Sequence, residues 1–442
     1  MKTLIKNIRS IIGITEPGTL RKCGKAMSEV GTLDDAWVLI DDERIEDFGS
    51  MSCCPESEGA KVIDADGGMV MPSFCDSHTH IVFAGSRERE FLDKIEGLSY
   101  AEIAAHGGGI LNSADLLHNT SEDELYTQAM ARVNEMIAKG TGAIEIKSGY
   151  GLTLEDEIKI LRVIKRIRET SPAIIRATFL GAHAVGRAFA GRQGDYVEHV
   201  CKDMIPAVAA EKLADFVDVF CEEGFFTQEE TDKILTEGER HGLRVKLHAN
   251  QLAVSGGVQV GVKHHALSVD HLESTTDEEI RVLGGVPAGS QGVAAPVVTM
   301  PTILPGASFF LRMQYGRAND FVNAGLPVAL ASDYNPGSSP CGDMRFVMAL
   351  GCIQMRMTPV QSFNACTLNS AYAMGVSDIA GSVERGKLAN LIITRRVPSL
   401  NWIPYCYGTP FISKIFLRGK EMNKNFLKFA HYEHKLQQRT DS

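Results

Sequence analysis

The stretch VMPSFCDSHTH, residues 70–80, joins an apolar run to two histidines, His78 and His80, that are one residue apart. The apolar run predicts a β-strand, and side chains two positions apart on a strand point to the same face. Two imidazoles on one face at the end of a strand can bind the same divalent metal ion. Because short His-x-His patterns also occur on protein surfaces, this prediction depends on further ligands elsewhere in the chain.

After this stretch, apolar segments rich in β-forming residues alternate with amphipathic segments that carry helical periodicity, such as residues 155–169 and 227–241. Strands that alternate with helices in this way predict an α/β fold, a (β/α)8 TIM-like barrel of about 250 residues. The eight predicted strands lie near residues 74–78, 142–147, 174–180, 216–221, 244–248, 266–270, 294–299 and 327–332.

Both ends of the chain differ from this middle part. Short alternating segments separated by Gly, Asp and Ser precede the barrel, and similar segments such as residues 391–394 follow it. We therefore predict two domains: residues 1–70 with 376–442 form a small β-sandwich domain, and residues 71–375 form the barrel.

Composition excludes several classes of protein. The chain has 442 residues, 44% of them hydrophobic, and a net charge of −10, so it lacks the basic surface of a nucleic-acid-binding protein. We expect no membrane span and no signal peptide, because apolar runs are short and the N-terminus is interrupted by polar residues. The ten scattered cysteines are expected to be reduced thiols of a cytoplasmic protein.

Active sites of TIM barrels form at the carboxyl ends of the strands. A single His or Asp after a strand is often structural, as a hydrogen-bonded residue or a turn former. Imidazoles at several strand ends together favour a metal site, and we predict His78, His80, His248 and Asp333 as its ligands. The other polar residues at strand ends are Lys147, His183, Glu222 and His271.

Three imidazoles and one carboxylate form a mononuclear catalytic site with room for water. The metal lowers the pKa of that water from about 15.7 to about 7. Asp333 is placed to ligate and to accept the water proton, and His271 to stabilise an oxyanion or shuttle a proton. The fourth strand ends at Cys221 and Glu222 without a bridging lysine, which argues against a second metal.

Several longer motifs make the pattern more specific. With the strand-end ligands, they resemble the amidohydrolase superfamily and, within it, the imidazolonepropionase family, over residues 60 to 395. EIKSGYGL and SDYNPGS are far more specific than the His-x-His pair. The motifs are VFAGSR (82–87), GGGI (107–110), EIKSGYGL (145–152), TFLGAH (178–183), VDVFCE (217–222), SDYNPGS (332–338) and GSVERGKLANL (381–391).

The resemblance implies hydrolysis of a lactam, 4-imidazolone-5-propanoate, to N-formimidoyl-L-glutamate in histidine degradation. It implies one Zn²⁺ or Fe³⁺ per chain, a homodimer, and a small-molecule substrate with no nucleic-acid or membrane partner. By matching positions, the four predicted ligands hold the metal and six residues hold the substrate: Arg87, Tyr150, His183, Asn335, Gly337 and Ser338. The Arg87 fork suits a carboxylate, and Gly337 is expected to leave backbone N–H groups free for an anion.

Several positions depart from the commonest family pattern, and two of them follow the strand-five histidine. The others are residues 117–120, which replace the usual Thr-Arg, and Gly186, where many members have Pro. Gln251 stands where some members have Glu, and Asn250 replaces the usual Asp. A glutamine can hydrogen-bond the substrate ring but cannot carry a proton, so we count Gln251 among the catalytic and substrate-binding residues and assign the base to Asp333 or His271.

Two other functions are compatible with parts of this pattern. A deaminase of a cyclic amidine or aminopyrimidine uses the same kind of site, but typically with a Glu at the position of Gln251, and it has no need of the KSGY motif. A catalytically inactive relative kept for binding would be expected to lose metal ligands, and this chain retains all four.

Overall fold

The computed structural model describes residues 2–98, 108–285 and 299–423, which form two mixed or parallel sheets surrounded by helices. We number the strands of these residues in chain order: β1 Lys2–Ile14, β2 Gly31–Asp41, β3 Arg44–Ser50, β4 Lys61–Asp64, β5 Met69–Pro72, β6 Phe74–Thr79, β7 Thr141–Lys147, β8 Ile174–Ala182, β9 Phe216–Cys221, β10 Arg244–Ala249, β11 Ser268–His271, β12 Met300–Ile303, β13 Ala329–Leu330, β14 Leu391–Thr394, β15 Ile412–Leu417 and β16 Lys420–Glu421.

Strands β6 to β13 follow one another in space as they do in the chain, and each pairs in parallel with the next. The two edges of this sheet meet through a parallel bridge between Thr79 and Tyr334. There the His80 N–H donates to the Tyr334 carbonyl over 2.9 Å, and the Asp333 N–H donates to the His78 carbonyl over 3.0 Å. The predicted barrel is confirmed, and its closure places Asp333 beside the two histidines.

The seventh strand begins later in the chain than the sequence predicts. It is β12, Met300–Ile303, and residues 294–298 of the predicted strand lie outside the described residues. The apolar run from residue 294 continues to residue 304, so hydrophobicity alone could not locate the strand within it.

Helices cover the outside of the barrel with their apolar faces. Several begin at a Ser or Thr whose hydroxyl accepts a backbone N–H of the first turn, as at Thr153, Thr227 and Thr358. The α-helices of the described residues are Glu88–Glu96, Ile110–His118, Glu122–Ala138, Leu154–Thr170, Gln193–His199, Ile205–Ala210, Gln228–Arg240, Gly257–Lys263, Asp277–Leu283, Pro305–Leu311, Ala318–Asn323, Met344–Ile353, Pro359–Cys366, Leu368–Ala373 and Trp402–Tyr405.

The second sheet joins the two ends of the chain, as the sequence predicts. Its order is β16-β15-β14-β5-β1-β2-β3, with β4 also paired to β1. The link between the ends is the antiparallel pairing of β5 with β14, and Ile5, Val38 and Leu391 lie in the apolar core on this sheet. The division into domains at residues 70 and 376, and the sandwich form of the smaller one, stay predictions.

The helices and the cysteines can be compared with two further expectations from the sequence. Within the described ranges, every helix is too short or too polar to cross a membrane. All ten cysteines are free thiols, and Cys75, Cys201, Cys221 and Cys366 are buried.

Candidate metal centre

Four imidazoles and one carboxylate converge at the carboxyl ends of the barrel strands. Single ligand atoms of His78, His80 and Asp333 lie within 4.8 Å of one another, and the same holds for His78, His248 and His271. All five side chains are buried. The structure therefore brings together the four ligands that the sequence predicts and adds His271 to their immediate surroundings.

The nitrogen atoms of His78 and His80 are arranged as they would be around a cation. His78 Nδ1 lies 2.7 Å from Asp270 Oδ2, and His80 Nδ1 lies 3.4 Å from the Ser148 carbonyl oxygen, so both Nδ1 atoms are donors. Burial lowers the pKa of both imidazoles well below the ordinary value, so they are neutral and both Nε2 atoms carry lone pairs. These two Nε2 atoms lie 3.2 Å apart, which is repulsive without a positive charge between them.

His248 and Asp333 supply the remaining donors. His248 Nδ1 lies 2.9 Å from Asp218 Oδ2, a close contact without hydrogen-bond geometry, and Nε2 has no hydrogen-bond partner within the described part of the chain. Asp333 Oδ1 lies 3.6 Å from His78 Nε2 and 3.7 Å from His80 Nε2. Imidazole nitrogens and a carboxylate oxygen suit zinc or iron, so these residues fit a mononuclear metal site.

Below the histidines lies a cluster of five fully buried charged residues, which we call the buried charge cluster. Lys147 Nζ lies 2.7 Å from Glu145 Oε1, 2.8 Å from Asp218 Oδ2 and 3.5 Å from Asp270 Oδ2. Asp218 and Asp270 in turn face the Nδ1 atoms of His248 and His78, and such contacts fix the orientation of metal-binding imidazoles. The cluster comprises Glu145, Lys147, Asp218, Lys246 and Asp270.

The loop after β13 holds the second oxygen of Asp333. The Ser338 hydroxyl donates to Asp333 Oδ2 over 3.1 Å, and Asn335 Nδ2 donates to the Asp333 carbonyl and to Ser338 Oγ. The expectation of free N–H groups at Gly337 is wrong in this structure. The backbone N–H groups of Gly337 and Ser338 both donate to Asn335 Oδ1 over 2.8 Å, because Asn335 forms a turn with its own side chain.

The predicted substrate residues line one cavity of about 480 Å³ beside the predicted metal ligands. Its size is that of a small-molecule site. The apolar part of its wall was missed by sequence analysis, because isolated apolar residues in loops carry no signal of their position. The wall comprises His80, Arg87, Lys94, Ile110, Tyr150, His183, Phe220, Phe225, His248, Gln251, Leu252, His271, Leu311, Asp333, Asn335, Gly337 and Ser338.

His183 and Tyr150 lie next to His80, and the structure indicates where each of them carries its proton. Burial lowers the pKa of His183 to about 3, and its Nδ1 lies 3.0 Å from the Gly149 carbonyl, so Nδ1 donates and Nε2 is an acceptor. The His183 ring stacks on His80 with 5.3 Å between centroids. Burial raises the pKa of Tyr150, so its hydroxyl keeps its proton and can donate.

Arg87 lies in the cavity wall, but one edge of its guanidinium is occupied. Its Nε donates to Glu90 Oε1 over 2.8 Å and its Nη2 to Glu90 Oε2 over 2.5 Å.

Two buried carboxylates hold the loops that carry Gln251 and Tyr150. Glu222 accepts the N–H groups of Gln251, Leu252 and Ala253 over 2.7 to 3.1 Å. Glu157 accepts the N–H groups of Gly149, Gly151 and Leu152 over 2.7 to 3.1 Å. Sequence analysis placed Glu222 only as a strand end and gave Glu157 no role, because a carboxylate that binds distant N–H groups has no sequence signature.

Backbone strain coincides with these strand ends. Asn250, His271 and Asp333 have φ angles of 57°, 87° and 56°, in the left-handed region that L-residues rarely adopt. Strained residues of this kind persist where the surrounding structure holds them, and they concentrate at functional sites.

Comparison with known proteins gives the family of this chain. The sequence model of the amidohydrolase family matches residues 69–422. A protein of Flavobacterium johnsoniae named imidazolonepropionase is 49% identical over 420 residues, which cover 95% of this chain and 100% of the relative. One of the same name from Thermoanaerobacter pseudethanolicus is 37% identical over 413 residues, covering 93% and 95% of the two chains.

The chain belongs to the imidazolonepropionase family of amidohydrolases. The resemblance read from EIKSGYGL and SDYNPGS is thereby confirmed. Solved structures at low identity agree on the fold of this imidazolonepropionase family member. A triazine hydrolase variant superimposes with a TM-score of 0.70 at 14% identity, over 96% of this chain and 95% of that one. A zinc-bound adenosine deaminase from Xanthomonas campestris gives 0.65 at 13%, over 99% and 98%.

Proposed function

We propose that this chain hydrolyses the lactam C–N bond of 4-imidazolone-5-propanoate to N-formimidoyl-L-glutamate, a step of histidine degradation. The observation that carries the proposal is the shared cavity, where metal-type ligands and the cation Arg87 line the same wall. Relatives named imidazolonepropionase, matched over nearly their whole length, support this substrate over other cyclic amides.

The proposed metal is one Zn²⁺ or Fe³⁺ per chain, held by His78, His80, His248 and Asp333. When bound, such an ion lowers the pKa of a water molecule to about 7 and polarises a carbonyl oxygen. Asp333 lies beside the imidazoles of the proposed site, where its carboxylate can take the proton of the attacking water. The proton then passes to the ring nitrogen that leaves as the C–N bond breaks.

His271 is the proposed partner of Asp333. Burial lowers the pKa of its imidazole, but the carboxylates of Glu273, Asp333 and Asp270 together raise it, so the pKa lies above the ordinary value. A protonated His271 can donate to the oxygen that becomes negative during attack. Gln251 has no proton to exchange, and we assign it a hydrogen bond to the substrate ring.

The remaining residues orient the substrate. Arg87 pairs with the propanoate carboxylate, Tyr150 donates a hydrogen bond, and His183 Nε2 accepts one from a ring N–H. Asn335, Gly337 and Ser338 shape the cavity and hold Asp333, since their polar groups are tied to one another.

An assay in heavy-oxygen water tests the reaction. The substrate would be generated in place by urocanate hydratase, and the products followed by mass spectrometry. We expect formimidoylglutamate with two heavy oxygens in its new carboxylate, one from the hydration of urocanate and one from hydrolysis of the lactam. Ammonia release from an aminopyrimidine, without loss of imidazolonepropanoate, would instead support the deaminase function.

We also propose that the protein is a homodimer in the cytoplasm, without nucleic-acid or membrane partners. Large exposed side chains such as Tyr405, Ile353 and Leu92, exposed by 82%, 61% and 61%, are compatible with a partner surface. Light scattering on purified protein would give twice the chain mass, and the mass of a single chain would contradict the dimer. Cell fractionation tests the location.

A further inference from the structure

Lys94 lies in the wall of the substrate cavity, although none of the site predictions includes it. It is in the helix Glu88–Glu96, seven residues after Arg87, so the two side chains lie two turns apart on the same helix face. Its Nζ donates to the Gly337 carbonyl over 2.7 Å and lies 5.5 Å from the centre of the Phe310 ring. These contacts hold the ammonium group at the cavity.

The two cations converge on the same point. A Cβ atom added to Gly337 would lie 2.3 Å from Arg87 Nη1, so the guanidinium touches the backbone of the residue whose carbonyl accepts Lys94. An anion that enters this end of the cavity can therefore contact both side chains.

The charges at this end are unequal in the described part of the chain. Arg87 and Lys94 are positive, and Glu90 is the carboxylate that faces them. Burial and the repulsion of Arg87 lower the pKa of Lys94, although Glu90 raises it. A substrate carboxylate at this end would therefore meet two cationic side chains.

We propose that Lys94 is a second cation for the substrate carboxylate, and that with Arg87 it restricts the site to lactams that carry an anionic side chain. The proposal rests on the proposed function for the identity of the substrate. If Lys94 served only to hold the Gly337 loop, its loss would weaken charged and neutral ligands alike.

Ligand binding separates these two roles without any turnover. Metal-loaded protein would be titrated with imidazolepropanoate, which has no lactam to cleave, and with its neutral primary amide. We expect the wild type to prefer the carboxylate, and Lys94→Met to reduce that preference about tenfold, the effect of losing one hydrogen bond to a charged group. Lys94→Arg should keep most of it, and Lys202→Met, at an exposed lysine, should change nothing.

With the substrate itself, Lys94→Met should raise KM and leave kcat close to that of the wild type. A wild type without preference for the carboxylate, or a Lys94→Met variant that keeps the full preference, would overturn the proposal. Failure of the wild type to hydrolyse imidazolonepropanoate would instead overturn the proposed function, and the binding data would still decide the role of Lys94.

Discussion

Asp333 divides its two oxygens between two tasks. Oδ1 faces the Nε2 atoms of His78 and His80, and Oδ2 accepts the Ser338 hydroxyl. The strained φ of 56° at Asp333 is held by the backbone bond to His78 and by Asn335. One residue thus links the proposed metal ligands to the loop that borders the substrate cavity.

We expect Asp333→Ala to abolish turnover, with a loss in kcat of about 100-fold or more, because it removes the proposed base and one ligand. Ser338→Ala is the matched control, since it removes one hydrogen bond to the same carboxylate and should cost about tenfold or less. Steady-state kinetics on folded variants measure both. Near-normal activity of Asp333→Ala would exclude the role.

Arg87→Lys tests the carboxylate end of the cavity. A lysine keeps the charge but loses the fork that pairs with Glu90 and, as proposed, with the substrate, so KM should rise about tenfold. The KM of the variant for imidazolonepropanoate is the measurement. An unchanged value would remove Arg87 from the substrate site.

At the scale of elements, two barrel strands place a charged residue two positions before a predicted metal ligand. Asp76 precedes His78 in β6, and Lys246 precedes His248 in β10. Because alternate residues of a strand share a face, these side chains form a layer inside the barrel below the ligands. The carboxylates that face the imidazoles, Asp218 and Asp270, lie in the same barrel interior.

Asp270→Asn is expected to lower metal affinity about 10-fold to 100-fold, because His78 loses the carboxylate that its Nδ1 faces. Competition with a chelator of known affinity measures the effect. Asp203→Asn is a matched control, since Asp203 forms a similar pair with His199 at the surface. Equal affinity in wild type and Asp270→Asn would contradict an orienting role.

The hydrogen bonds by which Glu157 holds the loop of Tyr150 depend on the protonation of its carboxyl, and therefore on pH. Burial raises the pKa of its carboxyl from 4.5 to about 7, although three backbone N–H groups lower it. Since the folded pKa lies above the unfolded one, its contribution to folding is complete below pH 4.5 and is lost as pH rises through about 7. Above that pH the ionised carboxylate holds the loop with both oxygens.

We therefore expect KM to rise as pH falls through about 7, the value to which burial raises the pKa of Glu157. Glu157→Gln, which has one acceptor oxygen at every pH, should show a raised KM without this dependence. Glu211→Gln, at an exposed residue, serves as the control. A KM profile that is identical in wild type and Glu157→Gln would contradict this account.

Sequence analysis can predict those residues of the site whose location follows from their place along a single strand. His78, His80, His248 and Asp333 could be found because strand ends of a barrel share one edge. From the sequence alone, Lys147 could be a surface residue of a loop. In the structure it is fully buried in the buried charge cluster, where its partners Asp218 and Asp270 come from other strands. Pairings of this kind depend on the register between strands, which residue spacing does not contain.

At the scale of the whole molecule, barrel closure assembles the site. His78 and Asp333 are 255 positions apart in sequence, yet the bonds between β6 and the segment after β13 place them together. The proposed metal ligands come from the first and fifth strands of the barrel and from the segment after the last one, so the proposed site forms only when the barrel is complete. We expect metal binding to stabilise the whole fold, because it favours the folded state alone.

The measurement that tests the central claim most directly is turnover as a function of metal content. Chelated protein would receive Zn²⁺ or Fe³⁺ in small increments, and loss of imidazolonepropanoate absorbance would be followed at each point. We predict that activity rises in proportion to bound metal and reaches its maximum at about one ion per chain, as a mononuclear site requires. Full activity of the metal-free protein, or a maximum at two ions per chain, would contradict the account.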